Sequence, residues 1–213
     1  MKKVVIIILG IIAGNRFSSG QTIMIQAGES FSRLDWSINF PNTTISDLSN
    51  NPYFDKSVFI GMDYDDHHFY NLSSKVGFLQ KGSQNIYINT EAFGYSVNQS
   101  IQPIIDYVSL NTTIEIKYPI LTNIIPFIGV GPRIDYFIAH NSVLNGYSGL
   151  NAFSVGLILG GGIKYNLTRF QIGLRADYYL NFNDIYSNSS NYGTTYINDK
   201  TYLVNLFIGY KIK

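Results

Sequence analysis

Residues 152–180, AFSVGLILGGGIKYNLTRFQIGLRADYYL, read as two strands joined by a short turn at Asn166–Arg169. In the second strand Phe170, Ile172, Leu174, Ala176, Tyr178 and Leu180 fall on one face. Gln171, Gly173, Arg175, Asp177, Tyr179 and Asn181 fall on the other. This is strict period two, with two faces of different chemistry. In the first strand Phe153, Val155, Leu157, Leu159, Ile163 and Tyr165 share a face. Ser154, Gly156, Gly160, Gly162 and Lys164 share the opposite one, with Ile158 as the exception. In a soluble sandwich the apolar face would be a core. In a membrane barrel the assignment inverts: apolar side chains meet lipid and polar ones line a closed lumen.

The rest of the chain decides between the two. Similar runs lie at Thr22–Phe31, Lys56–Tyr64, Phe69–Lys81, Ile104–Tyr118, Ile124–Ile138 and Lys200–Ile212. With the hairpin, these six give eight strands. Their connections alternate long and short. The short ones are Asp65–His68, Pro119–Asn123 and Asn166–Arg169. The long ones are Ser32–Asp55, Gly82–Pro103, Ala139–Gly149 and Asn183–Asp199. Short turns at one end and long loops at the other are the pattern of outer-membrane barrels. No segment holds a 3.6-residue period, so a helical domain is not expected.

The aromatics sort in the same way. On the apolar face Tyr64, Tyr70, Tyr118, Tyr165, Phe170 and Tyr210 sit by the short turns or the C-terminus. Phe78, Tyr136, Phe153, Tyr178 and Tyr202 sit toward the long loops. Two rings of amphipathic side chains mark two membrane interfaces. Eight residues separate Phe170 from Tyr178 and Tyr202 from Tyr210. At ~3.3 Å per residue and a tilt near ~40°, that is roughly 20 Å of height, close to the apolar band of such barrels. A soluble sandwich has no reason to sort its aromatics into two belts. The expected fold is an all-β, eight-stranded antiparallel up-and-down transmembrane β-barrel with short periplasmic turns and long outer loops.

Composition agrees. Charged residues are 14%, while Tyr and Phe number 17 and 14. Cysteine is absent, which excludes disulfides, thiolate catalysis and Cys-ligated metals. The net charge is +1, so no nucleic-acid partner is expected. Lys2 and Lys3, the apolar run Val4–Ala13 and the small residues Ser18, Ser19 and Gly20 form the pattern of a secretory signal peptide. Residues 1–20 are read as that signal and 21–213 as the barrel, destined for the cell outer membrane.

The expected lumen face carries Asp63, Lys75, Glu115, Lys117, Arg133, Asp135, Lys164, Arg175, Asp177 and Lys211. An eight-stranded barrel has room inside only for side chains, and charges there must pair. A salt-bridged plug is expected rather than a conducting path. Arg133–Asp135 and Arg175–Asp177 repeat R-x-D on two strands and are expected to join one cross-strand network. Asp65-Asp66-His67-His68 has metal-ligand chemistry, but adjacent turn residues rarely converge on one ion, and a solvated turn is expected. His140 stands alone in a loop. Gly160-Gly161-Gly162 lacks the Lys-Ser/Thr that follows in a phosphate loop. It is read as strand glycines that make room for neighbouring side chains. No catalytic, cofactor-binding or metal-ligating residue is assigned, and no cofactor is expected.

Several stretches together resemble a known family. They are IMIQAGESFSRL (23–34), KVGFLQKGS (75–83), IIDYVSLNTTIEIKYPI (104–120) and PFIGVGPRIDYFI (126–138). The hairpin GLILGGGIKY…FQIGLRADYYLNFNDI and the closing LFIGYKIK complete them. In order and spacing they are similar to the PorT-like small outer-membrane β-barrel proteins. The resemblance covers essentially the whole mature chain. It implies an eight-stranded barrel in the outer membrane of a Gram-negative bacterium, with no common catalytic residues. The chain departs from the usual aromatic terminus of barrels, ending Tyr210-Lys-Ile-Lys.

The function expected is non-enzymatic. Outer-membrane lipid is the surrounding partner, and outer loops Ser32–Asp55 and Gly82–Pro103 are the surface for a protein or other extracellular partner. Two alternatives stay open. One is a small-solute or lipid transporter or barrel enzyme. The other is a soluble exported lipocalin-like barrel with its apolar face inward.

Overall fold

The computed structural model describes residues 20–40, 43–46, 51–64, 69–84, 86–92, 95–145, 149–190 and 193–212. The expected signal peptide, apart from Gly20, and the Asp65–His68 turn lie outside them. In chain order the strands are β1 (Gln21–Phe40), β2 (Thr43–Ser46), β3 (Asn51–Tyr64), β4 (Tyr70–Gln84), β5 (Ile86–Ala92) and β6 (Tyr95–Ile101). Then come β7 (Ile104–Lys117), β8 (Ile124–His140), β9 (Phe153–Asn166), β10 (Phe170–Asn181), β11 (Tyr186–Ser190) and β12 (Gly193–Ile212). Among the described residues the only helical element is a single 3-10 turn, Ser142–Leu144.

Eight strands pair antiparallel in the order β1, β3, β4, β7, β8, β9, β10, β12, and β12 pairs back to β1. The sheet is therefore a closed ring with no exposed edge along its staves, an up-and-down barrel. Its register fixes its shape. Starting at Gln21, the rungs run through Tyr64, Leu72, Ile114, Val130, Leu159, Tyr178 and Tyr202 and return to β1 at Phe31. The path comes back 31 − 21 = 10 residues further up. Ten residues of stagger over eight strands tilt the strands by about 40° and leave an interior that side chains can fill.

The strands outrun the expected boundaries. β1 does not stop at Phe31 but continues to Phe40, and β12 begins at Gly193 instead of Lys200. The β1–β12 ladder runs unbroken to Asn39↔Thr194. The stretches expected as loops are largely strand. Ser32–Asp55 contains the end of β1, β2 and the start of β3, and Gly82–Pro103 holds the β5–β6 hairpin. Asn183–Asp199 holds β11 and the start of β12. The physical reason is that inward positions stay apolar above the membrane: Leu34, Trp36 and Ile197 are buried. The outward positions turn polar because they meet water, which imitates a loop in sequence. From Phe31 to Phe40 this crown rises roughly 20 Å beyond the aromatic belt, at ~3.3 Å per tilted residue.

One wall is irregular. The β3–β4 ladder breaks between Pro52 and Ser57. There β1 reaches past β3 to β4. The Ser30 hydroxyl donates to Gln80 O at 2.8 Å, and the Leu34 N–H donates to Ser83 Oγ at 2.6 Å.

Candidate functional site: a tiered lumen beneath an outer crown

The outside of the ring is a lipid-facing band. Ile25, Ile60, Ile128, Leu159 and Leu206 lie on it, each more than half exposed. In water such a surface would drive aggregation, and in a bilayer it is solvated. Tyr70, Tyr118, Tyr165, Phe170 and Tyr210 stand exposed at its lower edge, with Tyr64 half-buried beside them. Phe78, Tyr136, Phe153 and Tyr202 stand at its upper edge. Tyr178 is half-buried there because it stacks on Tyr202 at 4.6 Å. Phe31 and Phe54, 5.0 Å apart, extend the upper ring. Cross-strand contacts Tyr136–Phe153 at 5.2 Å and Phe170–Tyr210 at 5.5 Å tie neighbours within each belt.

Inside, the side chains lie in layers. The lowest layer is ionic. Lys164 Nζ contacts Asp63 Oδ2 at 2.6 Å and Glu115 Oε2 at 2.7 Å. Arg175 contacts the other Glu115 oxygen, and its Nε donates to both oxygens of Asp177 at 2.7 Å. Lys75 donates to Gln26 Oε1 at 3.3 Å. Lys75, Lys164 and Arg175 against Asp63, Glu115 and Asp177 make 3 − 3 = 0, and all six are buried. Lys117 is also buried, one inward position below Glu115. Phe127 shields the layer, with Lys164 Nζ 4.7 Å and Arg175 Cζ 5.5 Å from its ring centre. The cavity there holds about 10 Å³ and is lined in part by Met24, Phe127 and Phe207. That is space for about one water.

Above it Phe59, Leu79, Ile158, Tyr179 and Leu203 close an apolar layer. A second ionic layer follows. Lys81 Nζ lies 3.0 Å from Asp135 and 2.9 Å from Asp199, and Arg133 bonds Asp135 and Asn181. The Thr201 hydroxyl and Asn181 Nδ2 donate to Asp199 at 2.7 and 2.8 Å. Lys81 and Arg133 against Asp135 and Asp199 again make 2 − 2 = 0. Arg133 lies over the Tyr179 ring at 4.4 Å, and Lys81 over Tyr107 at 4.9 Å. A top layer of Leu34, Trp36, Ile105, Tyr107, Leu144, Ile185, Tyr186 and Ile197 caps the barrel within the crown.

The expected single network is therefore corrected to two. Arg175–Asp177 and Arg133–Asp135 are in-strand pairs in different layers, separated by Tyr179, Leu79 and Leu203. Lys81 and Asp199, absent from the expected lumen set, complete the upper layer. Each sits at a boundary where polar flanking residues end the sequence pattern, yet each keeps the inward phase: Lys75, Gly77, Leu79, Lys81 and Asp199, Thr201, Leu203. Lys211, expected in the lumen, is half-buried at the lower rim. The glycine run makes the room. A Cβ at Gly160 would lie 1.9 Å from Asp177 Oδ1, and one at Gly156 would lie 1.9 Å from Leu180 O and 3.1 Å from Arg133. Among the described residues no group of three His, Asp or Glu is placed to hold a metal.

No protein-family model matches the chain, and no curated protein matches it. Solved structures do. The outer membrane protein OprG from Pseudomonas aeruginosa shares 14% identity, over 91% of this chain and 96% of that one, with TM-score 0.58. The N-terminal barrel domain of P. aeruginosa OprF matches at 11% identity over 91% and 98%, TM-score 0.48. Ail of Yersinia pestis matches at 12% over 92% and 100%, TM-score 0.46. At such identities the shared property is the fold. With its lipid-facing band, this fold makes the chain an integral outer-membrane β-barrel.

Proposed function

We propose that this protein is a closed, non-enzymatic barrel that anchors its crown at the cell surface for contact with a partner. In this reading residues 1–20 direct export, the short turns face the periplasm, and the crown faces outward. The whole belongs to the PorT-like small barrels that its motifs resemble. One observation carries the closed lumen: two charge-balanced ionic layers are separated by the apolar layer of Phe59, Leu79, Ile158, Tyr179 and Leu203. An ion crossing that layer would leave water and every charged partner, at a cost of several kcal/mol. The crown offers both a polar outward surface and, on β2 and β11, strand edges that pair with no further strand among the described residues. Such edges suit an extended partner chain. Planar-bilayer recording of the purified protein tests the reading. No stable conductance is expected, and a reproducible open level that tracks protein amount would overturn it.

A further inference from the structure

We propose that Arg33 and Lys200 hold the phosphate of an outer-leaflet lipid against the upper rim of the barrel. The two face each other across the β1–β12 ladder on the outward side of the sheet. Both contact one carboxylate, Asp35, at 2.7 and 2.9 Å. Their side chains remain 39% and 54% exposed, against 21% for Asp35. Asp35 occupies only part of their capacity: a guanidinium has five N–H donors and an ammonium three. The group carries a residual charge of 2 − 1 = +1. The neighbouring Lys56 adds none, because Glu29 stands opposite it on β1.

Position selects a lipid over a free anion. Two residues lower on the same strands, Phe31 and Tyr202 form the upper aromatic belt, and below them Val204 and Leu206 face the acyl region. A headgroup at Arg33 and Lys200 therefore lets its chains lie along the apolar band. Further round the ring, on β4 and β7, the outward polar pair is Gln80 and Asp106, which has no cation. Among the described residues the outward cations at this height are confined to β12, β1 and β3. Two donors on adjacent strands, ~5 Å apart, suit a phosphomonoester, whose three oxygens accept from both at once. A phosphodiester offers fewer oxygens and less charge.

The proposal rests on the crown facing outward. The test uses the full chain in uncharged detergent with a diphosphorylated glucosamine-disaccharide lipid, and retained lipid is counted by native mass spectrometry. Wild type is expected to keep the lipid. R33Q/K200Q is expected to bind at least tenfold more weakly, and D35N more tightly. R169Q, at the far rim, should bind as wild type. Equal retention by R33Q/K200Q overturns the site. Equal retention of the dephosphorylated lipid or of phosphatidylglycerol overturns the headgroup, and displacement by equimolar inorganic phosphate overturns the lipid assignment. K200Q alone, folded by its heat-shifted gel mobility, decides the matter should the double variant not fold. The detergent assay is blind to orientation. Shielding of Ser187→Cys, an exposed β11 position in a chain with no other cysteine, from an impermeant thiol reagent on intact cells would instead overturn the outward crown on which the proposal rests.

Discussion

The Ser32 hydroxyl holds both backbone groups of Gly82: it accepts the Gly82 N–H at 2.7 Å and donates to the Gly82 carbonyl at 3.1 Å. Ser32 belongs to β1 and Gly82 to β4, strands that are not ring neighbours. One side chain thus replaces a missing rung where β3 leaves the ladder. Ser32→Ala would leave two buried backbone groups without that partner, at about 1–3 kcal/mol locally. Faster amide exchange at Gly82 with an unchanged lower barrel is the expected result. Gly82→Ala should do more, since its Cβ would meet Pro103 O at 2.6 Å and the Tyr53 ring at 3.1 Å. Unchanged exchange in both variants would show that the hydroxyl does not close the wall.

The lower ionic layer is governed by total charge as well as by contacts. Glu115→Gln leaves three positive groups against two negative ones around atoms that are buried. A loss of about 3–5 kcal/mol is expected, because two cations lose a shared anion. Lys75→Gln in that background restores two against two. Lys75 makes its hydrogen bond to Gln26, not to Glu115. The double variant is therefore expected to recover on the order of 1 kcal/mol relative to additivity. Urea unfolding from lipid vesicles measures the cycle, and strictly additive losses would mean that contacts alone matter.

Depth on the outer face is testable through Leu206 and Tyr202. They share one face of β12, are 68% and 54% exposed, and differ in height by four residues. Leu206→Arg lies mid-band and should cost about 2–4 kcal/mol, whereas Tyr202→Arg at the belt should cost about 0–1 kcal/mol. Equal costs in vesicle unfolding would remove lipid from this face.

The alternation made the ring, its strand number and its inside legible, because period two reports which face each residue takes. Arg175–Asp177 and Arg133–Asp135 were legible as i, i+2 pairs for the same reason. Their separation into two layers was not. Height in a barrel depends on the stagger of 10, which accumulates over eight ladders and two bulges. No single strand records that sum. The crown was hidden differently. Above Phe31 the outward residues Ser37 and Asn39 meet water, so only widely spaced inward residues such as Leu34 and Trp36 carry the strand signal.

Tyr53 gives the crown a pH signature. Burial first, and then the hydrogen bond to the Asp55 side chain, push its phenol from the usual 10 up to about 12. Between these values the unfolded chain ionises Tyr53 while the folded one keeps it protonated. The folded state then binds more protons, so stability falls as pH rises from about 10 to about 12. Below pH 10 the Tyr53 contribution is fully present. Tyr53→Phe cannot ionise and escapes this loss. Its stability relative to wild type is therefore expected to rise steadily across pH 10–12 and to be flat below pH 10. The comparison isolates one phenol from the chain's 17 tyrosines, since the others are common to both proteins. Protease resistance of the crown, followed at each pH in lipid vesicles, reads the difference. A constant gap between the two proteins up to pH 12 would show that Tyr53 ionises as it does in the unfolded chain, and that neither burial nor Asp55 acts on it.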